Sequence, residues 1–502
     1  MFGWPFLFSV APFAVFLYLL LFRKKNLLFV SEVTLLIVAV LAVFYWRIIP
    51  NLLLISYTKG FFIAFDIFII IAGAIFFLEV SKKLKIIDNV SYHLESFSKD
   101  YRVKVIILAW FLENFLEGTA GFGTPSTVVA PLLIGLGLNP MAAVIVALLG
   151  NSASVVFGAA GAPIRIGFSG IESATRVPEI AALINFAGLF VPVFMLFFIT
   201  AGKKDRKDQI LEALPFAIFS GLAFVVPSFL SVSLGQEFPS IIGAAIGTII
   251  IFGAVKLNIF MPKRIRKSGS QSIKPQKTLS PFETFFPYII LIVLLVFGKF
   301  FLGTKSVLIS YFGINHDFSF FNPGFAFIIT GLLLIFWKIK NKPGKIASLA
   351  IKDSFIRTIE PFLVIALMSA MVQIMINSGN NFSEIPSSIA ILAKNFENSF
   401  LPIIAPFVGA FGSFMTGSAT VSNIMFGKFL ETAASVIGYD AAIILSLGLV
   451  GGAAGNMIAL ADIMTAEAVV GIKNKEREVI KGVFIPCFIY LILISLIGII
   501  II

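Results

Sequence analysis

A polar, glycine-rich stretch interrupts a long apolar run in the first third of this chain. It reads Glu117-Gly-Thr-Ala-Gly-Phe-Gly-Thr-Pro-Ser126 and lies between the apolar runs 105–112 and 128–138. A helix facing lipid cannot carry such a stretch, because each unsatisfied backbone group in hydrocarbon is costly. Irregular backbone is tolerated at membrane depth only where protein buries it or where it lines a wet cavity. This stretch, the first motif, therefore predicts a broken membrane segment beside a polar cavity.

The rest of the chain is apolar enough for this interpretation. Of its 502 residues, 59% are hydrophobic and 13% are charged, whereas soluble domains carry roughly 25% charged residues. At about 20 residues per spanning helix, the length allows about 12–14 transmembrane elements. We therefore predict an all-α polytopic membrane protein. The apolar runs are 4–22, 27–49, 52–80, 102–116, 139–157, 179–201, 213–234, 238–257, 285–303, 322–338, 359–377, 400–415, 440–460 and 482–502.

The net charge of +12 lies mainly in short loops, where basic residues orient membrane helices toward the cytoplasm. We therefore expect a multi-pass protein in a plasma membrane, in contact with the lipid bilayer and without a nucleic-acid partner. Cys487 is the one cysteine, and His93 and His316 fall in polar loops without ligand-spaced neighbours. The sequence thus predicts no metal site and no cofactor.

A second polar break, Thr416-Gly-Ser-Ala-Thr-Val-Ser-Asn423, follows about 300 residues after the first. Two broken segments in corresponding halves are typical of a transporter's substrate site. If the basic loops are cytoplasmic, the chain enters the two motifs from opposite sides of the membrane. This topology predicts inverted repeats with broken helices or re-entrant hairpins. The predicted organisation is a first half 1–261 (motif region 111–166), a basic cytoplasmic linker 262–282 and a second half 283–502 (motif region 400–472).

Each half also carries a stretch of small residues after its motif. The first contains Asn151-Ser-Ala-Ser and Phe157-Gly-Ala-Ala-Gly-Ala-Pro163, and the second is Gly451-Gly-Ala-Ala-Gly-Asn456. Such glycine and alanine clusters also let helices pack closely, and this alternative stays open. It does not account for the hydroxyl and amide groups of the second motif taken together.

Hydroxyls, amides and free backbone N–H groups at mid-membrane would form a neutral polar site suited to a small anion, and the amino ends of half-helices would add to the attraction. Glycines let the backbone approach a ligand closely. The candidate substrate-binding residues are Gly118, Thr119, Gly121, Gly123, Thr124, Ser126, Asn151, Ser152, Gly158, Thr416, Gly417, Ser418, Thr420, Ser422, Asn423, Gly452, Gly455 and Asn456.

Ionisable residues within apolar segments are functional candidates by default. Glu117 is the best candidate for a proton carrier, with a helix cap or a hydrogen bond to the broken backbone as its alternative. Glu113 lies one turn earlier on the same face, and two buried carboxylates there would share a proton, so Glu113 is a second candidate for proton coupling. Asp462 could pair with a cation or take part in coupling. Arg165 could attract a substrate carboxylate near the outer mouth or could be a solvated loop cation. The chain shows no nucleophile–base pair and no nucleotide-binding loop, so we expect no enzyme and a transport process driven by an ion gradient.

The residues that carry these features resemble a known family. Four segments are similar to the signature blocks of the L-lactate permease family. They are Phe115-Leu-Glu-Gly-Thr-Ala-Gly-Phe-Gly-Thr-Pro125, Phe157-Gly-Ala-Ala-Gly-Ala-Pro-Ile164, the second motif and Val450-Gly-Gly-Ala-Ala-Gly-Asn-Met457. The resemblance implies a bacterial or archaeal symporter of lactate, glycolate or related 2-hydroxy monocarboxylates with protons. It also suggests, by fold-level analogy, a homodimer.

The chain departs from the family pattern at several positions near the motifs. It has Glu113 where glycine is usual, Ala419 where Asn or Asp is frequent, Ala461-Asp462 where a His-Asn pair is frequent, and Glu467 where a small residue is frequent. A carrier of another organic anion, or one coupled to sodium, therefore remains an alternative. An anion channel is a further alternative, because the sequence alone does not exclude an open pore.

Overall fold

The structure is a computed structural model, and it describes residues 3–23, 25–121, 123–266, 278–303, 305–311, 314–338, 343–395 and 400–502. Within these residues, ten helices are long and apolar enough to cross a membrane, and four shorter apolar helices of 10–17 residues accompany them. The prediction of a helical polytopic membrane protein is confirmed, with ten candidate spanning helices in the described part of the chain.

Thirteen α-helices precede the predicted linker among the described residues. They are α1 (Trp4–Leu17), α2 (Leu27–Leu41), α3 (Pro50–Lys83), α4 (Ile86–Ser96), α5 (Tyr101–Ile106), α6 (Glu113–Thr119), α7 (Thr124–Gly135), α8 (Pro140–Gly150), α9 (Gly158–Arg165), α10 (Val177–Ile184), α11 (Val191–Ile199), α12 (Arg206–Ser231) and α13 (Pro239–Lys256). A π-helical segment, Ile107–Leu112, joins α5 to α6, and a 3₁₀ segment, Ala153–Phe157, joins α8 to α9.

The second half adds nine helices and a two-stranded antiparallel hairpin within the described part of the chain. They are α14 (Pro281–Leu302), β1 (Ser306–Tyr311), β2 (Ile314–Ser319), α15 (Pro323–Lys338), α16 (Pro343–Asn377), α17 (Ser388–Asn395), α18 (Leu401–Thr416), α19 (Ala419–Ile437), α20 (Ala441–Asn456), α21 (Leu460–Val470) and α22 (Glu476–Ile501).

The first motif lies at the tip of a re-entrant hairpin. The chain enters through α5 and α6, turns between α6 and α7, and returns through α7. Tyr101, at the start of α5, and Leu138, after α7, line one cavity together with Lys203, so both ends of the hairpin open at the same basic face. The proline at the second position of α7 and the left-handed Gly123 before it start this helix afresh after the break.

The second motif lies at the tip of an oppositely directed hairpin, formed by α18 and α19. From Asn139 on the basic face, α8 and α9 lead across to the segment 171–176. The carboxyl end of α19 lies at that opposite face, where Asp440 just beyond it forms a 2.8 Å ion pair with Arg176. Glu431 on α19 accepts a 2.8 Å hydrogen bond from Ser173. The two hairpins therefore enter from opposite faces, as the inverted-repeat prediction requires.

Two long helices from different halves pack along each other beside the hairpins. Gly60 on α3 lies so close to α16 that an added Cβ would be 2.5 Å from the amide nitrogen of Ala370. Gly73 on α3 makes a similar contact with α15, at Gly324. Small residues at such crossings let membrane helices approach closely. The pair α3 and α16 forms a wall, and α19 packs against the α16 side of it.

Two local expectations are wrong. His93, expected in a polar loop, lies on α4 with its Nε2 2.9 Å from the carbonyl oxygen of Leu279. His316, also expected in a polar loop, lies on strand β2 of the hairpin. Much of the predicted linker 262–282, residues 267–277, lies outside the described residues.

Candidate functional site

A small cavity lies where the two hairpin tips meet, and we call it the midplane cavity. Its volume is about 20 Å³, which is room for about one water molecule. Residues from both halves line it: Glu117, Gly123, Val155, Gly158, Ala159, Ala162 and Pro163 from the first, and Gly417, Ser418, Ala419, Thr420 and Asn456 from the second. The structure thus brings the two motifs and both small-residue stretches around one space.

The hairpin tips depend on glycines with left-handed backbone. Gly123 has φ 69° and Gly417 has φ 67°, a conformation that other residues adopt only at a cost. A Cβ on Gly123 would also lie 2.4 Å from Oδ1 of Asp462. After Gly417, the Ser418 hydroxyl accepts a 3.3 Å hydrogen bond from the amide of Val421 and caps α19. The amino ends of α7 and α19 therefore both begin at the cavity.

The wall of the cavity contains a strained turn. Ala159 (φ 42°, ψ 54°), Ala160 (φ 52°, ψ 49°) and Gly161 (φ 79°, ψ 15°) are consecutive residues in left-handed conformation. An alanine in this region costs about 1–2 kcal/mol, and such strain is concentrated at functional sites. The turn holds Gly158 so close to Glu117 that a Cβ there would lie 2.3 Å from the carboxylate Oε1.

Two buried carboxylates, one from each half, lie at the midplane cavity: Glu117 lines it, and Asp462 lies behind the lining residue Gly123. Glu117 on α6 is buried and has Asp462 as an electrostatic neighbour. Asp462 on α21 is also buried, and its Oδ2 accepts a 2.9 Å hydrogen bond from the side-chain amide of Asn456. Among the described residues that line the cavity there is no lysine or arginine. The site is therefore acidic and has no fixed cation within the described part of its lining.

A further buried polar cluster extends along α6 from Glu117. Glu113 is fully buried, with Glu117 and Ser126 beside it, and neither carboxylate oxygen has a hydrogen-bond partner among the described residues. The same holds for the side chain of Asn114, for the Ser126 hydroxyl and for Oδ1 of Asn151. A buried polar atom without a partner costs about 1–3 kcal/mol. This cluster therefore has unused capacity to bind a proton or water.

Some of the remaining candidates lie next to the cavity. A Cβ on Gly121 would be 3.3 Å from Oε1 of Glu117. The Asn423 side-chain amide donates a 2.9 Å hydrogen bond to the carbonyl of Pro163, which links α19 to α9 across the two halves. The side chain of Thr124 lies outside the described part of the structure.

The structure places other candidates in contacts within or between helices. The hydroxyls of four of them donate to backbone carbonyls: Thr119 to Phe115 and Leu116, Ser152 to Leu149, Thr416 to Gly412 and Ser418, and Ser422 to Gly409. Gly118 packs against Ile241 on α13, and Gly455 packs against the backbone of Ala410 on α18. Gly452 faces the Ser413 hydroxyl, where a Cβ would be 3.2 Å away.

Arg165 lies away from the cavity, with a guanidinium that is occupied by protein groups. It donates a 3.4 Å hydrogen bond to the buried carboxylate of Glu237 and a 2.9 Å hydrogen bond to the carbonyl of Phe321. Lys299 donates to the same oxygen of Glu237 at 3.2 Å. A buried carboxylate needs such partners. The geometry therefore gives Arg165 a partner within the protein.

Sequence reasoning did not single out Ala159 and Ala160 as individual positions, because alanine carries no signal for a left-handed conformation. Their only signal was the run of small residues in which they lie. The proximity of Glu117 and Asp462 also has no sequence signature, because the two residues lie in different halves of the chain.

The fold and the site together define a multi-pass membrane transporter, because two oppositely directed hairpins meet at a buried polar site. The family model described as L-lactate permease matches residues 5–312 and 304–502. The chain therefore belongs to the L-lactate permease family, and it is a transporter and not an enzyme.

Individual relatives agree with this assignment. The chain is 30% identical over 462 residues to the putative L-lactate permease of Haemophilus influenzae, covering 84% of each chain. It is 28% identical to the L-lactate permease of Escherichia coli K12, covering 95% of this chain and 92% of that one. It is 26% identical to the glycolate permease GlcA of the same organism, covering 82% and 80%. The solved YdaH transporter of Alcanivorax borkumensis aligns with a TM-score of 0.47 at 12% identity, over 88% of this chain and 86% of that one.

Proposed function

We propose that the protein is a symporter that moves L-lactate, or a related 2-hydroxy monocarboxylate such as D-lactate or glycolate, together with a proton across the plasma membrane. The names of the relatives support the substrate class. The single observation that carries the coupling is the acidic midplane cavity, which Glu117 lines without a fixed cation among the described lining residues, and which Asp462 adjoins through Gly123.

Electrostatics gives the physical reason for coupling an anion to a proton at such a site. Two like charges about 4 Å apart repel by about 4 kcal/mol at an effective dielectric constant of about 20. Such a penalty weakens binding by about 10³-fold, since every 1.4 kcal/mol is tenfold. A carboxylate substrate therefore binds well only after the facing carboxylate has taken up a proton. Glu117 is the proposed proton site because it lines the cavity directly.

The proposed substrate contacts come from the hairpin tips. The amino ends of α7 and α19 both begin at the cavity, where free N–H groups and the helix dipoles favour a carboxylate. The hydroxyls of Ser418 and Thr420 and the amide of Asn456 add polar groups for the 2-hydroxyl. These groups supply donors without a fixed positive charge, so the proton is the neutralising partner in this proposal.

The cavity must widen to admit substrate. A three-carbon hydroxy acid is several times larger than the single water molecule for which there is room. Gly123 and Gly417 lie at the tips that enclose the cavity, and their glycine backbones allow a change of conformation there at low steric cost. The structure therefore corresponds to an occluded state in this proposal, with the hairpin tips separating when substrate enters.

The test uses purified protein in liposomes loaded with the pH indicator pyranine. L-lactate, D-lactate, glycolate and pyruvate are added in turn, with and without a sodium gradient. The proposal expects internal acidification with L-lactate, and with at least one of the other 2-hydroxy acids, in the absence of sodium. Uptake that requires sodium and brings no proton would overturn the coupling, and no uptake of any of these acids would overturn the substrate class. Accumulation of the anion that never exceeds the level set by its own electrochemical gradient would indicate a channel.

A further inference from the structure

A second polar cavity lies between the midplane cavity and the face opposite the basic loops, and we call it the outer crevice. Its volume is about 140 Å³. It lies between the wall of α3 and α16 on one side and α19 with the segment 166–171 on the other. Its polar lining is formed by Lys59, Ser169, Ser369, Gln373, Asn377 and Lys428.

Lys59 is an unusual residue for its position. It lies nine positions after Pro50, the first residue of α3, which is about 14 Å along the helix at 1.5 Å per residue, and its side chain is half-buried. It makes no ion pair with any residue that the structure describes. The charged neighbour that affects it electrostatically is Lys428, which is also a cation. Charged residues inside membrane helices are normally paired, and they mark the paths of ions and substrates.

A single carboxylate, that of Glu431, lies near the outer crevice among the described residues that pair with its lysines, and it neutralises one of the two lysines. Lys428 forms a 2.6 Å ion pair with Glu431, which also accepts a hydrogen bond from Ser173. No carboxylate lines the crevice among the described residues. Two ammonium groups with one carboxylate leave the crevice with a net positive charge. A bound anion would neutralise this charge and relieve the repulsion between the lysines.

The crevice also has hydrogen-bonding groups that are not used within the described part of the protein. The Ser369 hydroxyl is buried, with only 1% of the residue exposed, and has no partner among the described residues. The side chain of Gln373 is also buried, and it makes no hydrogen bond to the residues that the structure describes. A buried hydroxyl that is left without a partner costs about 1–3 kcal/mol. A ligand oxygen in the crevice would satisfy these groups.

A short chain of contacts joins the outer crevice to the midplane cavity. Gly167 lines the crevice and contacts Asn423, since a Cβ on Gly167 would be 2.5 Å from the Cβ of Asn423. The amide of Asn423 in turn donates to the carbonyl of Pro163, which lines the midplane cavity. A ligand in the crevice therefore lies directly before the substrate site on the path from the outer face.

From this geometry we infer that the outer crevice is a second anion-binding site, which holds a small monocarboxylate through Lys59, Lys428 and Ser369 before it reaches the midplane cavity. The identity of the ligand rests on the proposed function, whereas the cationic site rests on the geometry alone. The two sites then have opposite charge, because the outer crevice attracts the anion and the acidic midplane cavity admits it only with a proton.

A labelling experiment tests the site without relying on transport. Cys487 is replaced by serine, and Ser169→Cys places a reactive thiol in the crevice. The reaction rates of an anionic and a cationic methanethiosulfonate reagent of similar size are then compared in detergent. We expect the anionic reagent to react at least about tenfold faster than the cationic one, and we expect Lys59→Gln to remove most of this preference, because the field of the lysines draws anions in. The matched control is Lys305→Gln, which replaces an exposed lysine outside the crevice and should leave the preference unchanged.

The ligand of the crevice is identified by which anion protects the introduced thiol from labelling. L-lactate should slow the labelling of the thiol introduced by Ser169→Cys, and Lys59→Gln should weaken the protection. Equal rates for the two reagents would overturn the inference, and so would protection by anionic phospholipid but not by lactate. In liposomes, Lys59→Gln should raise the KM for external lactate about tenfold with little change in the maximal rate, because the loss of one attractive charge weakens binding. If the protein did not transport lactate, the lactate measurements would fail for that reason, and the charge preference of the labelling would still decide the cationic site.

Discussion

At the residue scale, glycines around the midplane cavity leave the space that two buried carboxylates occupy. Gly158 leaves the space that the Glu117 carboxylate fills, and Gly123 does the same for Asp462. The neighbouring alanines hold a strained left-handed turn that keeps Gly158 in place. The two carboxylates are therefore positioned by backbone geometry, and small changes in that geometry should alter the cavity.

The first prediction concerns Gly158→Ala. The added methyl group would lie 2.3 Å from Oε1 of Glu117, so the carboxylate must move. Moving the carboxylate relieves the overpacking but displaces the proposed proton site. We therefore expect transport to fall roughly tenfold or more, which corresponds to a loss of about 1.4 kcal/mol of interaction. Initial rates of lactate uptake in proteoliposomes measure the effect.

The matched control for this change is Gly253→Ala on α13, where an added Cβ meets nothing within 4 Å. Its transport should stay close to that of the wild type, as should the yield of folded protein for both variants. Wild-type uptake by Gly158→Ala would mean that the position of the Glu117 carboxylate does not matter for transport.

The sequence could identify the motif residues but not their partners. Glu117 and the glycines of the first motif are conspicuous because they interrupt an apolar run, and membrane physics alone makes such an interruption significant. The neighbour of Glu117 is different, because Asp462 comes close only after both halves have folded. Arg165 shows the same limit, since its partner Glu237 could not be inferred from local sequence.

At the element scale, the hairpins and the broken helices follow from the pattern of apolar runs and their interruptions. Short elements that do not span the membrane could not be predicted from this pattern, for a physical reason. The strands β1 and β2 are six residues each and carry no long apolar run, and α4 is an eleven-residue helix with a polar face. The lengths of spanning helices are set by membrane thickness, and these short elements are not subject to that rule.

The second prediction separates packing from binding on α20. A Cβ on Gly455 would lie 2.3 Å from the carbonyl oxygen of Ala410, a backbone atom of α18 that cannot move independently. Gly455→Ala should therefore force the two helices apart and lower the midpoint of thermal unfolding by a few degrees, for a cost of about 1–3 kcal/mol. Thermal unfolding followed by size-exclusion chromatography in detergent measures this.

Gly452→Ala on the same helix provides the comparison. Its Cβ would meet the Ser413 hydroxyl at 3.2 Å, and that hydroxyl has no partner among the described residues and can rotate away. Its unfolding midpoint should stay within about a degree of the wild type, since little strain results. Equal unfolding midpoints for the two variants would contradict the role of Gly455 as a packing residue.

At the scale of the whole molecule, the two halves contribute complementary parts to one site. The first half supplies Glu117 and the strained turn, and the second supplies Asp462 and the second hairpin tip. Asn423 bridges the halves through Pro163. We propose that the division into halves at residues 262–282 reflects this organisation, because neither half alone encloses the cavity.

In the proposed mechanism, proton coupling depends on one charge at the interface between the halves. We propose that the substrate anion binds only when Glu117 is neutral, and that the protein then carries the anion and the proton together. A glutamine at this position keeps the shape of the side chain but holds no transferable proton. It should permit the anion to bind and exchange while removing the use of the proton gradient.

The most direct measurement compares two kinds of lactate movement in proteoliposomes containing Glu117→Gln. One is accumulation driven by an imposed pH gradient, and the other is exchange of labelled for unlabelled lactate at equal pH. Glu360→Gln, which replaces an exposed carboxylate on α16, is the matched control and should behave as the wild type in both. The account predicts that Glu117→Gln loses accumulation and its accompanying acidification while exchange continues. Accumulation by Glu117→Gln at the wild-type level, with wild-type acidification, would contradict it.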